Sequence, residues 1–182
     1  MAIPGINHST RSMRDEHRRI EKLRLTSEDL LYEIDMLDFT AKTLLRPSTG
    51  NSRIRNAVIE SFAIHARNLI YFLYADKPKR DELTASKYFA RRAEWEDTRP
   101  PITGVLKVAW GRADREIAHL TFGRQKVAPE NKGWPIAAIQ KDLAAAFRCF
   151  LLRVPENLMP LEAVRHAKLA SARTPKRPNK SV

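Results

Sequence analysis

The fold is decided by residues 52–75, which read SRIRNAVIESFAIHARNLIYFLYA. Apolar residues recur there at helical spacing, and further apolar residues cover most of the surface between them. The recurring core stripe consists of Val58, Phe62, His65, Leu69 and Phe72. Because a helix that is apolar nearly all round is usually buried on most sides, this stretch predicts a central helix over 52–75.

Three other segments carry one apolar stripe at helical spacing, and they lie at about 27–45, 102–122 and 136–154. Thr26 and Asp29 form a capping-box-like start to the first of them. The chain has only six glycines, and its β-branched residues are scattered, which favours helix over sheet. The sequence therefore predicts an all-α fold with a four-helix-bundle core.

Short accessory helices are expected beside this core. The long connection at 76–101 is predicted to hold one around 85–92, and its aromatic residues indicate that it packs over one end of the bundle. A last short helix is predicted at 161–170. Residues 1–25 are expected to form a basic N-terminal arm, of which residues 18–25 could instead extend the first helix. Residues 26–170 are expected to form a single domain, and residues 171–182 a basic disordered tail.

The net charge of +12 comes mainly from the two ends of the chain. Residues 1–24 carry six basic and three acidic side chains, and residues 165–182 carry six basic and no acidic ones. The remainder has 21 basic and 18 acidic residues and is therefore close to neutral. Basic ends of this kind can bind nucleic acid or an acidic membrane surface, and they can equally be solvated without a partner.

Several classes of protein are disfavoured. Cys149 is the only cysteine, which excludes an internal disulfide framework and a four-cysteine zinc site. We expect a cytoplasmic protein without a membrane span, because no apolar stretch has the length of a signal peptide core or a transmembrane helix. Glu116 and His119 form one Glu-x-x-His unit, but a dimetal bundle needs a second, so neither a metal nor a cofactor is predicted.

Polar residues interrupt the apolar central helix at His65, Arg67 and Asn68. A buried arginine needs a carboxylate or carbonyl partner, and Glu60, Asp35 and Asp38 are the candidates on spacing. One interpretation is a structural network, with the histidine bonded to a carbonyl and an Arg–Asp pair fixing the helix register. The other is a functional binding site.

A second polar group lies on the third helix, where Arg112, Arg115, Glu116 and His119 share one broad face. A histidine close to guanidinium groups suits phosphodiester cleavage, because the imidazole moves protons near neutral pH and arginine stabilises charge on phosphate. An exposed charged face with a histidine at its edge is the structural alternative.

The helical bundle and this segment resemble the HEPN superfamily of small helical proteins. The family motif is an arginine and a histidine separated by four to six residues, and Arg112 and His119 are separated by six. In the commoner form the arginine lies five before the histidine and is followed by a polar residue such as asparagine. This sequence has Asp114 and then Arg115 there, and a carboxylate repels phosphate.

The resemblance implies a protein of bacterial toxin or defence systems that binds or cleaves RNA without a metal ion. It further implies a homodimer in which Arg112 and His119, with Arg115, line a cleft between two copies. Degenerate members bind RNA, a nucleotide or a protein partner without cleaving. The alternative function is a non-enzymatic interaction module in which His65, Arg67 and His119 are internal bonding groups.

Overall fold

The computed structural model describes residues 7–47, 51–118 and 133–159. Its five α-helices are α1 (Asn7–Leu45), α2 (Ser52–Tyr74), α3 (Arg92–Glu96), α4 (Gly104–Arg112) and α5 (Ile136–Leu151). A π-helical turn, Ala113–Ala118, continues α4 directly and is called the π segment below. Two 3-10 turns lie at Ala85–Tyr88 and Glu156–Leu158. These three ranges contain no β-strand, so the predicted all-α class is confirmed.

Helix α2 is the central element, as predicted, and it packs against α1, α4, α5 and the π segment. Phe62, Ala63, Leu69 and Ile70 are almost completely buried. The Asn51 side chain caps the start of α2 by accepting a hydrogen bond from the Arg53 backbone N–H at 2.8 Å. The helix therefore faces α1 on one side and the π segment on another.

Helix α1 begins at Asn7, so the predicted start near Ser27 is wrong. The Thr26 hydroxyl does not cap a helix but donates to the Lys22 carbonyl oxygen at 2.9 Å, inside the preceding turn. Leu23 belongs to the core, and Arg19 Nη2 donates to the Lys87 carbonyl at 2.8 Å. Part of the segment expected to be a basic arm is thus a helix that packs on the connection after α2.

The connection between α2 and α4 contributes its aromatic residues to the core. Tyr88 and Trp95 are buried, and the Trp95 indole N–H donates to the Leu73 carbonyl at 2.9 Å. Phe150 of α5 lies among these rings, with centroid distances of 5.5 Å to Tyr88 and 5.6 Å to Trp95. The short helix predicted at 85–92 is instead a 3-10 turn followed by α3, and each of these two elements buries one of the rings.

The third predicted helix begins at Gly104 and changes geometry after Arg112. Thr103 caps it by accepting from the Leu106 backbone N–H at 3.3 Å, and the same hydroxyl donates to Asp142 Oδ2 of α5 at 2.7 Å. Its predicted end near Phe122, like the terminal helix predicted at 161–170, lies outside the described residues. Helix α5 ends at Leu151 rather than Val154, although Val154 is still buried.

Within the described parts of the chain, no helix combines the length and the apolar character that crossing a bilayer requires.

Candidate functional site

The polar residues of α2 and of the π segment meet in one ion pair. Arg67 Nε of α2 donates to Asp114 Oδ1 of the π segment. Both side chains remain partly accessible, with 36% and 39% of their surface exposed. The pair therefore joins the two stretches that sequence analysis identified separately, and it lies where solvent and a ligand can reach it.

The carboxylate candidates proposed as partners of Arg67 are wrong. Glu60 and Asp35 are exposed, and Asp38 binds Lys42 Nζ at 2.5 Å and the Gln140 side-chain amide at 2.9 Å. Spacing along α1 and α2 could not identify Asp114, because the side of α2 that faces the π segment depends on helix packing. The observed pair places a guanidinium beside the carboxylate that was expected to repel phosphate, and the two charges offset each other.

Arg112 is bound by groups of its own chain. Its Nε and Nη2 atoms donate to the two carboxylate oxygens of Glu116, both at 2.9 Å, and Nη1 donates to the Gly133 carbonyl at 2.8 Å. The guanidinium also lies 4.4 Å from the ring centroid of Trp134. Only 12% of the Arg112 side chain and 16% of the Glu116 side chain is exposed. Arg112 thus ties the π segment to the residues that precede α5.

Of the two other motif residues, the structure describes Arg115 but not His119. Arg115 is exposed, and its guanidinium lies across Gly111, where an added Cβ would be 3.1 Å from Arg115 Nη1. Glycine therefore leaves the space that this arginine occupies. His119 lies outside the described residues, so its position relative to Arg112 and Arg115 stays a prediction.

A second polar cluster lies on the other side of α2, against α1. His65 Nδ1 is 2.8 Å from Glu33 Oε2, and the Asn68 amide nitrogen is 3.3 Å from both oxygens of the same carboxylate. The Tyr32 ring meets the imidazole edge-on, with 5.9 Å between centroids. His65 was expected to bond a carbonyl, and its partner is instead a carboxylate. Glu33 was missed, although it lies between Leu30 and Leu37 on the buried side of α1.

Two pockets flank the Arg67–Asp114 pair. The first has a volume of about 290 Å³, lies between α1, α2 and the connection, and is lined by the carboxylates of Asp29, Glu33 and Glu82. The second has a volume of about 400 Å³ and lies beside α4. Arg67 borders the first pocket and Asp114 the second, so the ion pair forms the ridge between them. The second pocket is lined by Tyr74, Asp76, Arg99, Lys107, Trp110 and Asp114, among others.

A hydrogen bond joins two ionisable side chains of the first pocket, Tyr71 and Glu82. The Tyr71 hydroxyl donates to Glu82 Oε2, and the Lys79 backbone N–H donates to the same oxygen at 2.6 Å. The bond to Glu82, followed by burial, raises the pKa of the Tyr71 phenol above its usual value. The bonds from Tyr71 and from Lys79 lower the pKa of the Glu82 carboxyl. Glu82 is therefore ionised and Tyr71 neutral at physiological pH.

In the described ranges, no three histidine, cysteine, aspartate or glutamate side chains are grouped so that they could hold a metal ion. Both oxygens of Glu116, which belongs to the Glu-x-x-His unit, accept from Arg112.

Comparisons with protein-family models, with curated proteins and with solved structures give no match for this chain. The fold and the site together define an all-α protein with a solvent-accessible polar ridge between its central helix and a π-helical turn.

Proposed function

We propose that this chain is a HEPN-like RNA-binding protein of the cytoplasm that cleaves RNA without a metal ion. The observation that carries the proposal is the π-helical geometry of Ala113–Ala118, which are the six residues between Arg112 and His119 in the sequence. Single π-helical turns are rare and are found frequently at functional sites. Asp114 of the turn lines the second pocket, and Arg67, which neutralises this aspartate, lines the first.

The residues of the motif have different roles in this proposal. His119 exchanges protons with the reacting ribose hydroxyl and the leaving oxygen, and exposed Arg115 contacts the phosphate. Arg112 is a positioning residue, because its guanidinium holds Glu116 and Gly133 rather than facing solvent. Asp114 takes the place of the polar residue that the family has near this position. As the resemblance implies, two copies would pair to bring two such motifs together.

A non-enzymatic interaction module is the second candidate function, and two observations favour it. Arg112, expected to contact substrate, uses three nitrogen atoms on its own chain. His65 and Asn68 share the carboxylate of Glu33, as expected of internal bonding groups. In this case the polar residues maintain the bundle, and the protein acts by binding a protein partner or a second copy.

Degradation of total RNA by the purified full chain distinguishes the two functions. We expect the wild-type protein to cleave RNA equally with divalent metal and with a chelator, and His119→Ala to lose this activity at an unchanged melting temperature. His17→Ala, which removes an exposed histidine of α1, is the matched control and should cleave like the wild type. Cleavage that survives His119→Ala would refute the ribonuclease proposal, and a sharp loss of stability in that variant would favour the interaction module.

A further inference from the structure

We propose that the second pocket binds one nucleotide of a single-stranded RNA, with Lys107 contacting the phosphate and Trp110 stacking on the base. The inference rests on the proposed RNA-directed function and names the part of the molecule that holds the substrate beside the π segment. It uses residues that the motif resemblance does not include.

The spacing of α4 brings the required groups to one face. Lys107 and Trp110 are three residues apart, and Gly111 and Asp114 follow at the next positions of the same face. All four line the pocket, so its wall runs from α4 into the π segment. A ligand seated here lies beside the π segment.

Among the described residues that line the pocket, the ion pairs leave Lys107 available to an anionic ligand. Asp114 is paired with Arg67, and Asp76 Oδ1 is 3.3 Å from Arg99 Nη2. Arg99 also donates to the Leu73 carbonyl at 3.1 Å. Lys107 is exposed and forms no ion pair with any residue in the described ranges, so an anionic group can approach its ammonium without displacing an internal partner.

The aromatic side of the pocket is held in place by its neighbours. Trp110 meets Tyr71 at 85° with 5.9 Å between ring centroids, and this contact keeps the indole in a defined orientation while part of it remains accessible. The Arg99 guanidinium covers the Tyr74 ring at 5.4 Å, so Trp110 is the ring that a base can stack on. An aromatic surface next to a cation is the arrangement with which proteins bind single strands without reading their sequence.

The volume of about 400 Å³ is within the range of pockets that hold small organic ligands, which fits one nucleotide. A free mononucleotide has the same chemistry as one residue of a strand. We assign the strand, because the proposed function acts on RNA chains and the pocket lies beside the π segment.

Binding of a fluorescent 2′-O-methyl oligouridylate, which cannot be cleaved through its ribose hydroxyls, tests the inference by anisotropy over a range of salt concentrations. We expect Lys107→Ala to weaken binding and to reduce the slope of log affinity against log salt by about 0.7, the value for one phosphate contact on a single strand. Trp110→Leu should weaken binding roughly tenfold with the slope unchanged. Trp110→Phe, which keeps a ring, should retain most of the affinity and shows that the loss is not a folding defect.

Lys141→Ala is the control, because Lys141 is an exposed lysine on α5 that does not line the pocket. Equal effects of Lys107→Ala and Lys141→Ala on affinity and salt slope would overturn the nucleotide pocket while leaving RNA binding intact. Failure of the wild-type protein to bind the oligonucleotide would overturn the proposed function as well. A further outcome is that uridine monophosphate competes at micromolar concentration and the longer strand binds no more tightly than the mononucleotide. That result would identify a mononucleotide site and refute the assignment of a single-stranded RNA.

Discussion

Helix α2 makes polar contacts of two different kinds on its two sides. Towards α1, the His65 and Glu33 side chains are only 11% and 26% exposed, and Asn68 bonds the same carboxylate. Towards the π segment, the Arg67 and Asp114 side chains are 36% and 39% exposed. The first is a nearly buried network that satisfies polar groups inside the bundle, and the second is an ion pair that solvent reaches.

This difference in exposure indicates that the contact with α1 stabilises the fold and that the contact with the π segment can serve binding. Leaving a buried donor without its acceptor costs about 1–3 kcal/mol, whereas an exposed ion pair contributes about 0–1 kcal/mol. The α1 side therefore holds the fold together, and the π-segment side is available for binding at little cost in stability. The following substitutions test this division.

The largest loss of stability is expected for Glu33→Ala. Without this carboxylate, the His65 imidazole and the Asn68 amide both lose their acceptor, and we expect the free energy of unfolding to fall by about 2 kcal/mol. Denaturation with urea measures it. Glu60→Ala removes an exposed glutamate from α2 and should change stability by less than about 0.5 kcal/mol. Similar values for the two variants would show that the α1 network does not stabilise the bundle.

A smaller loss of stability, at most about 1 kcal/mol, is expected for Arg67→Ala, because solvent hydrates the Asp114 carboxylate that remains. RNA cleavage should nevertheless fall strongly, since Asp114 then repels the phosphate. Arg67→Ala combined with Asp114→Asn removes that repulsion and should recover activity, as measured by degradation of total RNA. If Arg67→Ala destabilises the protein as much as Glu33→Ala does, the assignment of stability to the α1 side and of binding to the π-segment side is wrong.

The all-α class and the extent of α2 could be predicted because both follow from local patterns. Helical periodicity from Val58 to Phe72 is a property of neighbouring residues. The prediction of where α1 begins was wrong for a physical reason. Thr26 and Asp29 have the composition of a cap, but Ile20 and Leu23 pack against the core and extend the helix beyond it.

The individual polar residues of the site could be predicted, but the way they pair could not. His65, Arg67 and Asn68 were recognisable as polar residues on an apolar helix, and Arg112 and Arg115 as part of a charged face. Which residues pair across helices depends on packing angles that no single helix encodes, so Glu33 and Asp114 were not assigned as partners. The change from α to π geometry after Arg112 also has no signal in the helical periodicity.

The smallest effect is expected at the Tyr71–Glu82 hydrogen bond, a third polar contact of α2, which joins it to the connection that follows. The bond lowers the pKa of Glu82, so the folded state favours the carboxylate. Its contribution to stability is present above the pKa that this glutamate has in the unfolded chain and is lost as pH falls through the lower folded value. Tyr71→Phe removes the donor and should reduce the stability lost on acidification below about pH 4.5. Urea denaturation of both proteins between neutral and acidic pH measures this, and identical pH dependence would show that the bond adds nothing to the fold.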